Sequence, residues 1–91
     1  MKRLELKIFG RVQGVFYRAE TQEKAVALGL SGFGRNEADG SVTVVAVGQE
    51  SALKKLEDWC RQGPERAQVE NVEAKYEEPK PEEKFTSFEI Y

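Results

Sequence analysis

Two glycines and two arginines lie close together near the start of the chain, in the segment Gly-Arg-Val-Gln-Gly-Val-Phe-Tyr-Arg at residues 10–18. An apolar run with strand character precedes this segment, and a helix-like run follows it. A tight turn before a helix directs backbone N–H groups at one point, and the helix dipole adds partial positive charge there. An arginine can bind an oxyanion through two parallel hydrogen bonds. The segment therefore predicts an anion-binding site.

The composition excludes several other kinds of site. The chain has 91 residues, no histidine and a single cysteine, Cys60. These counts exclude an intramolecular disulfide, a zinc site, and a nucleophile of the Cys–His or Ser–His type. The length predicts one domain spanning residues 1–91.

The charge is unevenly distributed along the chain. The formal net charge of −2 gives no general reason to expect nucleic acid or an anionic membrane as a partner. Residues 1–35, however, carry seven basic and three acidic residues, whereas residues 36–91 carry seven basic and thirteen acidic ones. The basic part contains the glycine segment, so a local positive field can steer a small anion there. With no signal peptide or membrane span evident, we expect a cytoplasmic location.

Hydrophobic periodicity and turn residues predict the elements that position this segment. They are a strand over residues 4–8, a helix over 17–28, strands over 30–36 and 41–48, a helix over 49–62, a strand over 67–76, and a short strand within 85–90. Gly29 ends the first helix, and Asp39-Gly40 makes a hairpin of the second and third strands. A bulge near Glu70 and Asn71 reconciles the two apolar phases of the fourth strand. Residues 77–84 are interpreted as a solvated loop.

The order β-α-β-β-α-β predicts an α+β fold, the ferredoxin-like sandwich. Its antiparallel sheet has the strand order 4-1-3-2, both helices lie on one face, and the short C-terminal strand is appended. The first and second strands then run parallel with the third between them, so their carboxyl ends lie about 10 Å apart at one edge. Arg18 follows the first of these ends, and Asn36 forms the second. A phosphate-sized anion and a water molecule fit between them.

The motifs resemble those of the acylphosphatase family over essentially the whole chain. They are the 10–18 segment, Leu28-Gly29, Gly32-Phe33-Gly34-Arg35-Asn36, Asp39-Gly40-Ser41-Val42, and Gly63-Pro64 followed by Ala67 and Val69. The resemblance implies hydrolysis of small acyl phosphates to a carboxylate and inorganic phosphate by a monomer, with no metal, cofactor or phosphoenzyme.

The resemblance also implies the role of each site residue. Arg18 would bind the phosphoryl group, and Asn36 would position the attacking water. Backbone amides would line the phosphate cradle, those of Gln13, Gly14, Val15, Phe16 and Tyr17. Since a carboxylate is a good leaving group, catalysis reduces to positioning the water and stabilising charge on the phosphoryl oxygens.

Two residues depart from the usual family pattern. Phe16 replaces a glycine that many bacterial members have, which we expect to change the stiffness of the loop. Phe33 replaces the commoner tryptophan, and the glycine after it, Gly34, predicts a more mobile strand around Asn36. The side chains of Trp59 and Cys60 are interpreted as core, and Tyr17 is interpreted as a core or hinge aromatic rather than a proton donor.

Two other functions compete with hydrolysis. A non-catalytic module of the same fold would bind phosphate or carbamoyl phosphate without turnover. RNA-recognition domains share the element order, but their third strand carries basic and aromatic residues, and residues 41–47 here have neither. RNA binding is therefore disfavoured.

Overall fold

Five strands and two helices alternate along the chain in a computed structural model that describes residues 1–91. They are β1 (Lys2–Arg11), α1 (Tyr17–Ala27), β2 (Ser31–Asn36), β3 (Val42–Gly48), α2 (Glu50–Gln62), β4 (Gln68–Glu77) and β5 (Phe88–Ile90). The predicted order of elements is confirmed. The first strand is longer than predicted, because β4 pairs with β1 as far as Arg11.

The sheet has the order β4-β1-β3-β2-β5, so the predicted 4-1-3-2 arrangement is confirmed and extended by one edge strand. β1, β2, β3 and β4 pair in antiparallel fashion. β5 instead lies parallel to β2, with Gly32 opposite Phe88 and Gly34 opposite Ile90. The sheet is therefore mixed rather than purely antiparallel, since the chain crosses from the β4 edge to the β2 edge before β5.

A β-bulge shapes the end of β1 just before the glycine segment turns into the helix. Phe9 lies opposite Asn71 and Gly10 opposite Val69, which leaves Glu70 as the extra residue. The predicted bulge is thus confirmed. Gly10 has a φ of 128°, and a Cβ there would lie 2.1 Å from the carbonyl oxygen of Gln68. Only glycine permits this close approach of β1 to β4.

The core lies between the helices and one face of the sheet. Its most buried side chains come from alternate positions of β1, from one face of α1, and from the apolar stripe of α2: Leu4, Leu6, Ile8, Tyr17, Thr21, Ala25, Leu53, Leu56 and Cys60. Each fully buried aliphatic side chain contributes about 1.5–3 kcal/mol to folding. Trp59 is half-buried and packs against Tyr17 at 5.8 Å between ring centroids. Neither helix is both long and apolar enough to cross a membrane.

Arg3 anchors the segment between β4 and β5 to the face of the sheet that lies opposite the helices. The Arg3 side chain is 4% exposed and donates to both carboxylate oxygens of Glu83, at 2.6 and 3.0 Å. It also donates to Glu77 at 2.6 Å and to Glu5 at 2.9 Å. The interpretation of residues 77–84 as merely solvated was therefore wrong for Glu77 and Glu83, whose charges are paired across the sheet.

Replacing Arg3 tests this anchor. We expect Arg3→Met to lower the free energy of unfolding at neutral pH by about 2 kcal/mol, less than for a fully buried ion pair because its carboxylate partners remain partly exposed. Arg61→Met, which breaks an exposed pair with Glu57, should cost about 0.5 kcal/mol or less. Urea unfolding followed by circular dichroism measures both.

The Arg3→Met variant also tests how the stability contributed by this anchor depends on pH. The hydrogen bond and charge of Arg3 hold the pKa of Glu83 below its ordinary value. A carboxyl with a lowered pKa stabilises the fold above its ordinary pKa, and that contribution is lost as the pH falls through the lowered value. The stability difference between the original chain and Arg3→Met should therefore shrink as the pH falls below the ordinary pKa of a glutamate. An unchanged difference would show that the carboxylates do not carry the effect.

Candidate active site

The loop between β1 and α1 presents several unpaired backbone donors. The N–H groups of Gln13, Gly14, Val15 and Phe16 donate to no acceptor within the chain, and Glu20 N is the donor that bonds back to Phe16 O, at 3.0 Å. Gly14 has a φ of 74° and Phe16 a φ of 63°. Left-handed residues interspersed in such a loop turn neighbouring N–H groups to the same side, as in anion-binding nests. The donors lie at the N-terminus of the 11-residue helix α1, whose dipole favours an anion.

Buried side chains hold the loop from beneath. Val12 and Val15 belong to the core, and so does Tyr17 at the start of α1. The Tyr17 hydroxyl donates to the carbonyl oxygen of Cys60 at 2.5 Å, and burial raises its pKa far above the ordinary value. Tyr17 is therefore a core aromatic, as predicted, and only its backbone is available to the cradle. Cys60 is fully buried, and burial raises the pKa of its thiol to about 12.

Arg18 lies in the first turn of α1, with its side chain over β2. A Cβ built on Gly34 would lie 3.9 Å from Arg18 Cγ, an ordinary van der Waals distance, so the Arg18 side chain lies beside this position of β2. The guanidinium Nη1 donates to the carbonyl oxygen of Tyr91, just beyond β5. One hydrogen bond of this five-donor group is thus used within the protein, and other N–H groups remain.

Asn36 ends β2 two residues after Gly34, which places both on the same face of the sheet. At a rise of about 3.3 Å per residue, their Cα atoms are roughly 7 Å apart. Asn36 Oδ1 is buried and accepts no hydrogen bond. A buried oxygen without a donor costs about 1–3 kcal/mol, so a hydrogen-bond donor bound beside it would recover free energy.

The two ends of the loop meet β2 on either side of Asn36. The Arg18 side chain lies beside Gly34, and the Gln13 side chain donates to the carbonyl oxygen of Glu37 at 2.9 Å. The residues proposed from the sequence therefore lie at one edge of the sheet. The Gln13 side-chain contact was not predicted, because it joins residues 24 positions apart and no local pattern signals it. The Tyr91 contact of Arg18 was missed for the same reason.

The strand carrying Asn36 is paired on both sides. β3 pairs with the whole of β2, and β5 adds Tyr91 N donating to Gly34 O at 2.9 Å. Phe33 packs against Phe85 and Tyr91 on the other face, with ring centroids 5.9 and 6.0 Å away. The greater mobility expected from Gly34 stays a prediction.

Comparisons with known proteins identify the family of this chain. Residues 4–90 match the family model described as acylphosphatase. A curated acylphosphatase from Marinobacter nauticus is 50% identical over 88 residues, covering 97% of this chain and 94% of that one. One from Xanthomonas oryzae pv. oryzae is 56% identical over 72 residues, covering 79% and 82% of the two chains. The crystal structure of acylphosphatase from Bacillus subtilis matches with a TM-score of 0.93 at 27% identity, covering 100% of this chain and 99% of that one.

Phe16 provides a test of the backbone geometry of the loop. It is the one non-glycine residue with positive φ, and its side chain is largely exposed. Phe16→Gly and Phe16→Ala both remove the ring and differ only in the Cβ, which the left-handed conformation disfavours. We expect the glycine variant to be more stable than the alanine variant by about 1 kcal/mol in urea unfolding. Equal stabilities, or a more stable alanine variant, would mean that this residue is not held in the left-handed region.

Proposed function

The chain belongs to the acylphosphatase family, and from this premise we propose that it hydrolyses small acyl phosphates by direct attack of a water molecule on phosphorus. The products are a carboxylate and inorganic phosphate. No metal, cofactor or phosphoenzyme takes part, and the enzyme acts as a cytoplasmic monomer. The observation that supports this most directly is the unsatisfied oxygen of Asn36, a residue that lies on β2 between Gly34, beside Arg18, and Glu37, which accepts from Gln13.

The phosphoryl group binds in the loop between β1 and α1. The unpaired amides of Gln13, Gly14, Val15 and Phe16, continued by that of Tyr17, donate to its oxygens. The N–H groups of Arg18 that are not engaged by Tyr91 reach the same oxygens. Negative charge spreads over these oxygens in the transition state, so donors already fixed in place stabilise it without reorganisation.

Asn36 orients the nucleophile. Its buried Oδ1 accepts a hydrogen bond from the attacking water and turns an oxygen lone pair toward phosphorus. The leaving carboxylate needs no proton from the enzyme, which suits a site without histidine. A phosphoryl oxygen takes the water's proton, so the reaction requires no enzymic base. As the P–O bond to the acyl oxygen breaks, its electron pair stays on the carboxylate.

Substitutions of Arg18 and Asn36 test these roles with benzoyl phosphate as substrate. We expect Arg18→Gln to lower kcat/KM by about 1,000-fold or more, since it removes the charged donor from the transition state. Asn36→Ala should lower kcat by about 100-fold while inhibition by inorganic phosphate stays nearly unchanged. Arg11→Gln is the matched control, because Arg11 is an exposed arginine at the end of β1. Full activity of either site variant would overturn the role given to that residue.

A metal-free assay tests the remaining part of the mechanism. We expect benzoyl phosphate hydrolysis to persist in excess EDTA and to be inhibited competitively by inorganic phosphate, because the phosphate ion occupies the same amides. Loss of activity in EDTA with recovery on adding Mg²⁺ would overturn the metal-independent mechanism. Phosphate binding without turnover of any acyl phosphate would instead favour the non-catalytic binding module.

A further inference from the structure

We propose that the side chain of Gln13 is a positioning residue for Asn36, clamping the β2–β3 turn against the phosphate-binding loop. This inference deepens the proposed function and rests on the role given to Asn36 there. The role proposed above for Gln13 uses only its backbone N–H. Here its side chain makes two long-range hydrogen bonds that the binding of phosphate does not require.

The clamp consists of one amide group and two carbonyl oxygens. Gln13 Nε2 donates to the carbonyl oxygen of Glu37 at 2.9 Å and to that of Ser41 at 3.0 Å. An amide nitrogen carries two hydrogens, so both are used. Glu37 directly follows Asn36, and Ser41 directly precedes the residue opposite Asn36 in β3, Val42. The two acceptors therefore flank the turn at its base.

Other contacts of the turn fix its shape but not its distance from the loop. Glu37 N donates to Ser41 O at 2.8 Å, and Gly40 N donates to Glu37 O at 3.1 Å. Ser41 N and Oγ both donate to Asp39 Oδ1. These contacts lie within the hairpin, and the further link of the turn, an exposed ion pair between Asp39 and Lys7 at 3.5 Å, reaches β1 rather than the loop. The Gln13 bonds, in contrast, join the hairpin to the loop that carries the phosphate donors.

The clamp fixes the distance between Asn36 and the phosphate-binding loop, on which the position of the attacking water depends. Asn36 must hold a water in line with a phosphorus atom bound by the loop, and an error of about 1 Å in such positions can cost about 100-fold in rate. Without the Gln13 bonds, the turn can move relative to the loop while each keeps its own structure. The loop amides remain in place, so the loss should fall on kcat rather than on phosphate binding.

Gln13→Met keeps the length of the side chain and removes both donors. We expect it to lower kcat for benzoyl phosphate by about 10- to 100-fold, with inhibition by inorganic phosphate changed by less than about threefold. Gln13→Glu should lose at least as much, because a carboxylate would face two carbonyl oxygens. Thr43→Val is the matched control, since it removes a 2.6 Å bond to Glu37 Oε2 within the same hairpin that does not reach the loop. Its kcat should stay within about twofold of the original.

A double-mutant cycle with Asn36→Ala tests whether Gln13 affects kcat through Asn36. If Gln13 acts through Asn36, adding Gln13→Met to Asn36→Ala should cost little further activity, whereas independent effects would multiply. Unchanged kcat in Gln13→Met, or multiplicative losses, would overturn the inference even if Asn36→Ala is nearly inactive as proposed. Full activity of Asn36→Ala alone would overturn the proposed function and, with it, the clamp. Circular dichroism and phosphate inhibition verify that each variant is folded.

Discussion

The loop between β1 and α1 keeps a set of backbone N–H groups free of partners within the chain. Those at Gln13, Gly14, Val15 and Phe16 would normally be paired, and Phe16 is held in a conformation that its side chain disfavours. The loop adopts this state because buried residues on both sides, among them Val12 and Tyr17, belong to the core and fix its path. The stability of the core therefore offsets the cost of this loop conformation.

Much of the fold was predictable because it depends on local patterns. Alternating apolar residues revealed the strands, Gly29 marked the end of α1, and two apolar phases in β4 located the bulge at Glu70. Proximity of the loop to Asn36 followed from the strand order. β5 was harder, because three residues contain too little periodicity to specify a parallel partner.

The contacts that sequence reasoning missed all join side chains to distant parts of the chain. The acidic run near residue 80 has the composition of a solvated loop, and only the fold brings Glu83 to Arg3. The amide of Gln13 and the guanidinium of Arg18 find backbone carbonyl oxygens in other elements. A carbonyl is present at every residue, so composition carries no information about which one will accept.

The contact between Arg18 and Tyr91 joins residues 73 positions apart. During vectorial synthesis, the loop, both helices and four strands can leave the ribosome before β5 and Tyr91 do. A nascent chain at that stage contains the loop between β1 and α1, but Arg18 still lacks this hydrogen-bond acceptor. The contact between Arg18 and Tyr91 therefore forms only after β5 has been synthesised and has paired with β2.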